Sequence, residues 1–111
     1  MRIVRPVVIV SVPASMNSVE ERAIIKALRS LRVAKIYLFP EPVAAAVGAK
    51  LPIHTSSGNF IANLGAGTAE IAVLSLNGIV AMESHRGAGD AINSEIINYV
   101  KGAHNLIIGE Q

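Results

Sequence analysis

Asn59-Phe60-Ile61-Ala62-Asn63-Leu64-Gly65-Ala66-Gly67-Thr68-Ala69-Glu70 sets the frame for the whole chain. An apolar run, Asn59 to Leu64, enters a tight turn at Gly65-Ala66-Gly67-Thr68. It leaves as a second run, Ala69 to Leu76, whose alternation suits a strand. Asn77-Gly78 comes next, a dipeptide that accepts the positive φ angles of a type I′ turn between antiparallel strands. Ile79 to His85 then reads as the returning strand. After Gly87-Ala88-Gly89, Asp90 is placed to cap a helix over Ala91 to about Ala103, with Ile92, Ile96, Val100 and Ala103 facing inward.

Upstream, Pro6-Val7-Val8-Ile9-Val10-Ser11-Val12 is a short β-branched run ended by Pro13, and it reads as a buried strand. Ser18 and Glu21 have capping-box spacing at the start of a helix. Val19, Ala23, Ile24, Ala27, Leu28 and Leu31 fall on one face of it. Lys35 to Phe39 is a second strand, so residues 7–39 form a β–α–β unit. Pro42 suits the first turn of a further helix, Val43 to Val47, which Gly48 ends. Ala49 to Gly58, with Pro52 and Ser56-Ser57-Gly58, is a polar loop and the expected boundary between two parts.

Composition narrows the classes. The chain has 111 residues, 51% hydrophobic and 16% charged, which suits one small domain or a piece of a larger one and excludes intrinsic disorder. No apolar run is long enough to span a membrane, and Val7 to Val10 is too short for a signal peptide. There is no Cys, so no disulfide and no thiolate metal site, as fits a reducing cytoplasm. Two Tyr and two Phe are too few for base-stacking, so no nucleic-acid partner is expected. Residues 1–50 carry eight Lys/Arg against three Glu, and residues 51–111 carry two against five Asp/Glu. The halves are therefore +5 and −3, a shift that favours two subdomains.

Four features can carry chemistry. Gly65-Ala66-Gly67-Thr68 can present backbone N–H groups and a hydroxyl to a phosphate, or simply turn the chain. Glu41, between Pro40 and Pro42, can orient a water, or merely favour a helix N-terminus. Gly87-Ala88-Gly89-Asp90 can admit a nucleotide or another backbone, or serve as a capped loop. Arg22, Lys26, Arg29 and Arg32 recur at helical spacing; they can meet anionic lipid or acid groups, but read best as a solvated face. His54, His85 and His104 have no ligand spacing.

Taken in order, Glu-Pro-x-Ala-Ala-Ala at 41–46, Leu-Gly-x-Gly-Thr-x-Glu at 64–70, Ser-Leu-Asn-Gly at 75–78 and Gly-Asp at 89–90 resemble the MreB family. Val12-Pro13, Ala49-x-Leu51-Pro52 and Ile96-Ile97-Asn98-Tyr99-Val100 extend the likeness over nearly the whole chain. MreB proteins are bacterial relatives of actin, within the superfamily that includes sugar kinases and heat-shock ATPases. The resemblance implies an α/β chain with part of the actin-like ATPase (ribonuclease H-like) fold, a mixed sheet with flanking helices. Residues 1–58 would end a subdomain IA-like segment and residues 59–111 would start a subdomain IIA-like one.

By position, the resemblance makes Glu41 the residue that positions the attacking water, and Gly65, Ala66, Gly67 and Thr68 the second phosphate loop. Gly87, Ala88, Gly89 and Asp90 complete the expected nucleotide-binding set. ATP and magnesium are the implied cofactors. Asn63 stands where the family has an Asp that helps hold the nucleotide's magnesium through water; an amide can still accept a hydrogen bond but lacks the charge that attracts a hard cation. Ala66 and Ala88 replace family glycines. These departures, and the absence of a first phosphate loop from this stretch, predict an ATPase-type segment without turnover. The implied partners are further copies in a filament and other cell-shape or cell-wall proteins. The implied setting is cytoplasmic, with membrane association through elements outside this stretch. Two rivals are a partner-binding scaffold that does not hydrolyse nucleotide, which Asn63 and Ala66 favour, and a small-molecule kinase of the same superfamily. The tight Ser75–Gly78 turn and the Ile96–Val100 helix count against the kinase.

Overall fold

The computed structural model describes residues 5–109. The elements run β1 (Val7–Val12), α1 (Ser18–Ser30), β2 (Lys35–Pro40), α2 (Glu41–Gly48), β3 (Asn59–Leu64), β4 (Thr68–Ser75), β5 (Gly78–Arg86) and α3 (Ala88–His104). Strands β1 and β2 pair in parallel, from Val7 opposite Lys35 to Val12 opposite Pro40, with α1 as the crossover. Strands β3, β4 and β5 form an antiparallel meander in a second sheet. The chain is thus α/β with parallel and antiparallel pairing both present.

Helix α2 joins the two parts, touching β1 and β2 on one side and β3 and β4 on the other. Its run of small side chains permits this close approach. Val43 and Ala46 are buried against Ala72 and Leu74 of β4 and Ile53 of the preceding loop; Leu51, Ile61, Ile79 and Met82 close the cluster. The Ala49–Gly58 loop is part of this core. Asn77 N–H donates to the Ile53 carbonyl at 2.8 Å, and Leu76 N–H to that of Thr55 at 3.0 Å, so the loop grips the tip of the β4–β5 hairpin.

Several local expectations shift. The cap of α1 is Asn17, not Ser18. Its Oδ1 accepts from Val19 N–H at 2.9 Å and Glu20 N–H at 3.0 Å, and the Glu20 carboxylate accepts from Asn17 N–H at 3.0 Å. The box is the expected one, a residue earlier, because Asn17 has the extended backbone that a cap needs. The inner face of α1 is Ile24, Ile25 and Leu28, while Val19 and Leu31 are exposed. The basic stripe is solvated along its length.

The hairpin turn also moves by one residue. Leu76 and Asn77 take the positive φ angles, 50° and 62°, and Gly78 begins β5 opposite Ser75. Helix α3 starts at Ala88 with Gly87 as its cap at φ 93°, so Asp90 lies inside the first turn and its side chain caps nothing. Beyond its first residue, Ala88, the half-buried apolar positions of α3 are Ile97 and Val100; Ile92, Ile96 and Ala103 face solvent.

Strand β1 is half-buried rather than buried. It alternates, with Val7 at 58% and Ile9 at 70% exposure, because only one face of the β1–β2 pair is covered. Compactness reflects this. A closed chain of this length has a radius of gyration of about 13 Å, whereas this one has 18.5 Å. Its accessible surface of 8331 Å² likewise exceeds the roughly 5,800 Å² of a compact monomer of 11.6 kDa. Among the described residues, no helix is long and apolar enough to cross a membrane.

Candidate functional site

Glu41 is the first residue of α2, directly after Pro40 ends β2. Proline fixes the chain's exit from the strand, and the carboxylate sits at the helix end where partial positive charge favours it. Across 22 residues of sequence, Asn63 Nδ2 donates to Glu41 Oε2 at 3.1 Å. Asn63 lies two residues before Gly65, so Glu41 stands beside the entrance to the 65–68 turn.

That turn is closed on itself by Gly65 N–H donating to the Thr68 carbonyl at 2.8 Å. The Gly87–Asp90 segment is bound to it as a second layer. Gly87 N–H donates to the Gly67 carbonyl at 2.8 Å, Gly89 N–H to Gly65 at 3.1 Å and Asp90 N–H to Ala66 at 2.9 Å. The two glycine-rich segments, separate in the sequence, are therefore one structure. Gly89 suits this close approach: a Cβ there would lie 3.1 Å from the Gly65 carbonyl oxygen and 3.3 Å from Ala66 Cα, so any side chain would have to push the turn outward by a few tenths of an ångström. The turn's carbonyls thus face the start of α3. Among the described residues, no backbone or side-chain acceptor takes the N–H of Ala66 or Gly67, and Thr68 Oγ1 makes no hydrogen bond. These groups form a small donor set suited to phosphate oxygens. Ala88 serves as the first residue of α3 and makes none of these three bonds.

A cavity of about 470 Å³ adjoins the turn, between Gly67 and Thr68 on one side and Met16, Ala23 and Ile24 on the other. Its rim carries an exposed ion pair, Arg86 Nη2 to Glu20 Oε1 at 3.0 Å. The Asn17 N–H, then Arg86, hold the Glu20 carboxyl below its ordinary range. For magnesium the donor set is thin. Among the described residues, no three His, Asp or Glu side chains gather, and Asn63 offers an uncharged oxygen.

Sequence reading passed over a second set of contacts. Ser15 N–H and Oγ approach Glu70 Oε1 at 3.3 and 3.4 Å, and Ser84 Oγ lies 2.9 Å from Ser15 Oγ. Glu70 is in phase with Ala72 and Leu74 along β4, the buried positions of that strand, and that phase is the signal that marks it.

The model of the MreB/Mbl protein family matches residues 1–111. The cell shape-determining protein MreB of Pasteurella multocida is 47% identical over 105 residues, covering 95% of this chain and 30% of that protein. Mbl of Bacillus subtilis is 39% identical over 107 residues, 96% of this chain and 32% of that protein. The chain thus spans about a third of the length of these relatives. Among solved structures, MreB5 of Spiroplasma citri bound to ADP superposes with a TM-score of 0.88 at 26% identity, over 93% of this chain and 31% of that one. The double-helical MamK filament shares the fold, with a TM-score of 0.75 at 21% identity and coverage of 96% and 32%.

Proposed function

The chain belongs to the MreB/Mbl family, and from that premise we propose that it is the part of an actin-like cell-shape protein that carries one wall of a nucleotide-phosphate cleft. The observation that supports this reading is the Asn63–Glu41 hydrogen bond at 3.1 Å, which joins the end of β3 to the start of α2 beside the free N–H groups of Ala66 and Gly67. Ala66, Gly67 and Thr68 would hold phosphate oxygens. Gly87, Gly89 and Asp90 would hold the turn in shape through their own N–H groups. The MreB5 relative has been solved with ADP and with AMPPNP, which supports a nucleotide as the ligand class. A bound triphosphate would supply the electrophilic phosphorus and the leaving group. Glu41 would orient a water through Oε1, since Oε2 already accepts from Asn63. Magnesium carried with the nucleotide would meet Asn63 through water.

On this reading the segment binds phosphate without turning over ATP. The Asn63 amide occupies one lone pair of Glu41 and adds no negative charge to hold a metal. The experiment is a titration with AMPPNP followed by a phosphate-release assay with ATP and magnesium. Weak, saturable binding that Gly89→Ala reduces, with release at background, is the expected result. Release that disappears in Glu41→Ala overturns the proposed inactivity, and absence of AMPPNP binding overturns the phosphate site.

In a full family-length protein, we assign this segment to a filament-forming cytoskeleton and to contacts with other cell-shape or cell-wall proteins. The partner-binding scaffold remains the second reading, favoured by the same Asn63. Self-association has its own support here: Val7, Ile9, Tyr37 and Phe39 leave one face of the β1–β2 pair bare.

A further inference from the structure

At the β4–β5 turn two consecutive non-glycine residues, Leu76 and Asn77, hold positive φ angles, 50° and 62°. That conformation crowds Cβ against the following carbonyl oxygen. Both side chains stand in solvent. The turn is gripped from one side only. Asn77 N–H donates to the Ile53 carbonyl at 2.8 Å, Leu76 N–H to that of Thr55 at 3.0 Å, and Ser75 Oγ to the same Thr55 oxygen at 3.2 Å. Through these bonds the hairpin tip holds the Ala49–Gly58 loop, and with it the buried Ile53.

Asn77 is also the only asparagine of the chain that glycine follows. An asparagine Cγ and the backbone nitrogen of the next residue can close a five-membered ring. A Cβ on that next residue crowds the approach, and Gly78 has none. Several other asparagine amides are engaged. Asn17 Oδ1 accepts from two helix N–H groups, Asn59 Nδ2 donates to the Ser57 carbonyl, and Asn63 Nδ2 donates to Glu41. Asn93 and Asn98 lie inside α3, where the next N–H is spent on the helix.

We propose that Asn77 is a site of spontaneous modification, converting to aspartate and isoaspartate through a cyclic imide, and that isoaspartate releases the Ala49–Gly58 loop from the hairpin. The Gly78 nitrogen attacks Asn77 Cγ. An N–C bond forms, the Cγ–Nδ2 bond breaks, and the Gly78 proton leaves with Nδ2 as ammonia. Water, the only co-reactant, then opens the ring at either carbonyl. Opening at the main-chain carbonyl leaves Gly78 joined through the side chain, so the backbone gains the Cβ atom. A two-residue turn has no slack for an extra backbone atom. The N–H groups of Leu76 and Asn77 then lose their register with the Thr55 and Ile53 carbonyls. The reaction runs from the native fold, because a strained, exposed tip opens locally without unfolding the core. Phosphate binding plays no part in it, so the proposal goes beyond the cleft reading.

The test ages the folded 111-residue chain in mildly alkaline buffer without nucleotide. Peptide mapping by mass spectrometry, with electron-transfer fragmentation to separate aspartate from isoaspartate, follows each asparagine. Asn77 converts several-fold faster than any other. The isoaspartate fraction, isolated by ion exchange, melts about 5 °C lower, the shift for loss of a net hydrogen bond. In Gly78→Ala conversion slows several-fold. The fold accepts that change, since the added Cβ would lie 3.8 Å from the Ser75 carbonyl oxygen, an ordinary contact, and Gly78 has no positive φ. Asn77→Asp adds the same charge without lengthening the backbone and melts with the unaged chain. An Asn77 that stays an amide through ageing, or one that converts only in denaturant, overturns the site, and this map of the unaltered chain decides it even if Gly78→Ala folds poorly. Equal conversion in a folded Gly78→Ala overturns the imide route. An isoaspartate fraction that melts with the unaged chain, or an equal loss in Asn77→Asp, overturns the release of the loop.

Discussion

The β1–β2 pair and the β3–β5 meander are built from similarly apolar strands, yet only the meander encloses a core. In the meander, β4 has a neighbour on each edge and α2 across one face, so Ala72 and Leu74 lose nearly all contact with water. In the pair, both strands are edges. Helix α1 covers the face of Ile36 and Leu38, and the opposite face leaves Val7, Ile9, Tyr37 and Phe39 exposed. Burial therefore follows the number of neighbours that topology gives a strand, not its hydrophobicity.

The comparison breaks most visibly at the level of assembly. The surface beyond that of a compact monomer, roughly 2,500 Å², exceeds the about 1,600 Å² that a standard interface buries. Light scattering behind a sizing column at about 100 μM should give at least twice the 11.6 kDa chain mass. A strictly monomeric mass with a cooperative melt would mean the open half repairs its own edges.

Paired truncations sharpen it. Leu74→Ala removes a fully buried side chain and should cost about 3 kcal/mol in denaturant unfolding. Ile9→Ala, at a site 70% exposed, should cost less than about 0.5 kcal/mol in the monomer. Equal losses would show that the bare face is covered in solution, most simply by a second copy.

A smaller effect isolates the open half from within. Asn17→Ala removes the acceptor for two helix N–H groups and should cost about 1 kcal/mol. If the two halves unfold separately, that loss appears in only one of two transitions; if α2 couples them, it shifts a single transition.

The smallest effect concerns the tie between the halves. The pKa of Glu20 is lowered in the fold, chiefly by the Asn17 N–H and then by Arg86. Its contribution is present above the pKa of the unfolded chain and is lost as pH falls through the lower folded value. Arg86→Ala should flatten slightly the acid limb of a stability-against-pH curve and leave neutral pH almost unchanged, because both partners are exposed. A large loss at neutral pH would show that the pair is shielded from solvent by a partner.

Much of this protein was legible before any coordinates. The parallel β–α–β unit follows from a β-branched run, a capped amphipathic helix and a second run. The meander follows from alternation broken by glycine turns. Both are local patterns, in which each residue's preference acts on its near neighbours in sequence. One-residue offsets at Asn17, at Leu76–Asn77 and at Gly87 mark the limit of that reading. Neighbouring Asn, Ser and Gly residues have similar capping and turn preferences, and only packing chooses among them. Glu41, Gly65–Thr68 and Gly87–Asp90 stood out as candidates by local chemistry, without any sign that the last two bind each other. That arrangement follows from the β4–β5 register, which sets Thr68 opposite Arg86, whereas the meeting of Glu41 with Asn63 across 22 residues needed α2 to dock on the meander. Glu70 needed the most: its isolation is a property of what surrounds it, and no pattern along the chain carries the position of Ser15, 55 residues away. Sequence by itself determined which segments are strands, helices and turns, because those are near-neighbour effects. Tertiary structure alone decided which apolar faces are closed and which polar groups meet, because burial and long-range hydrogen bonds depend on elements that fold together from distant parts of the chain.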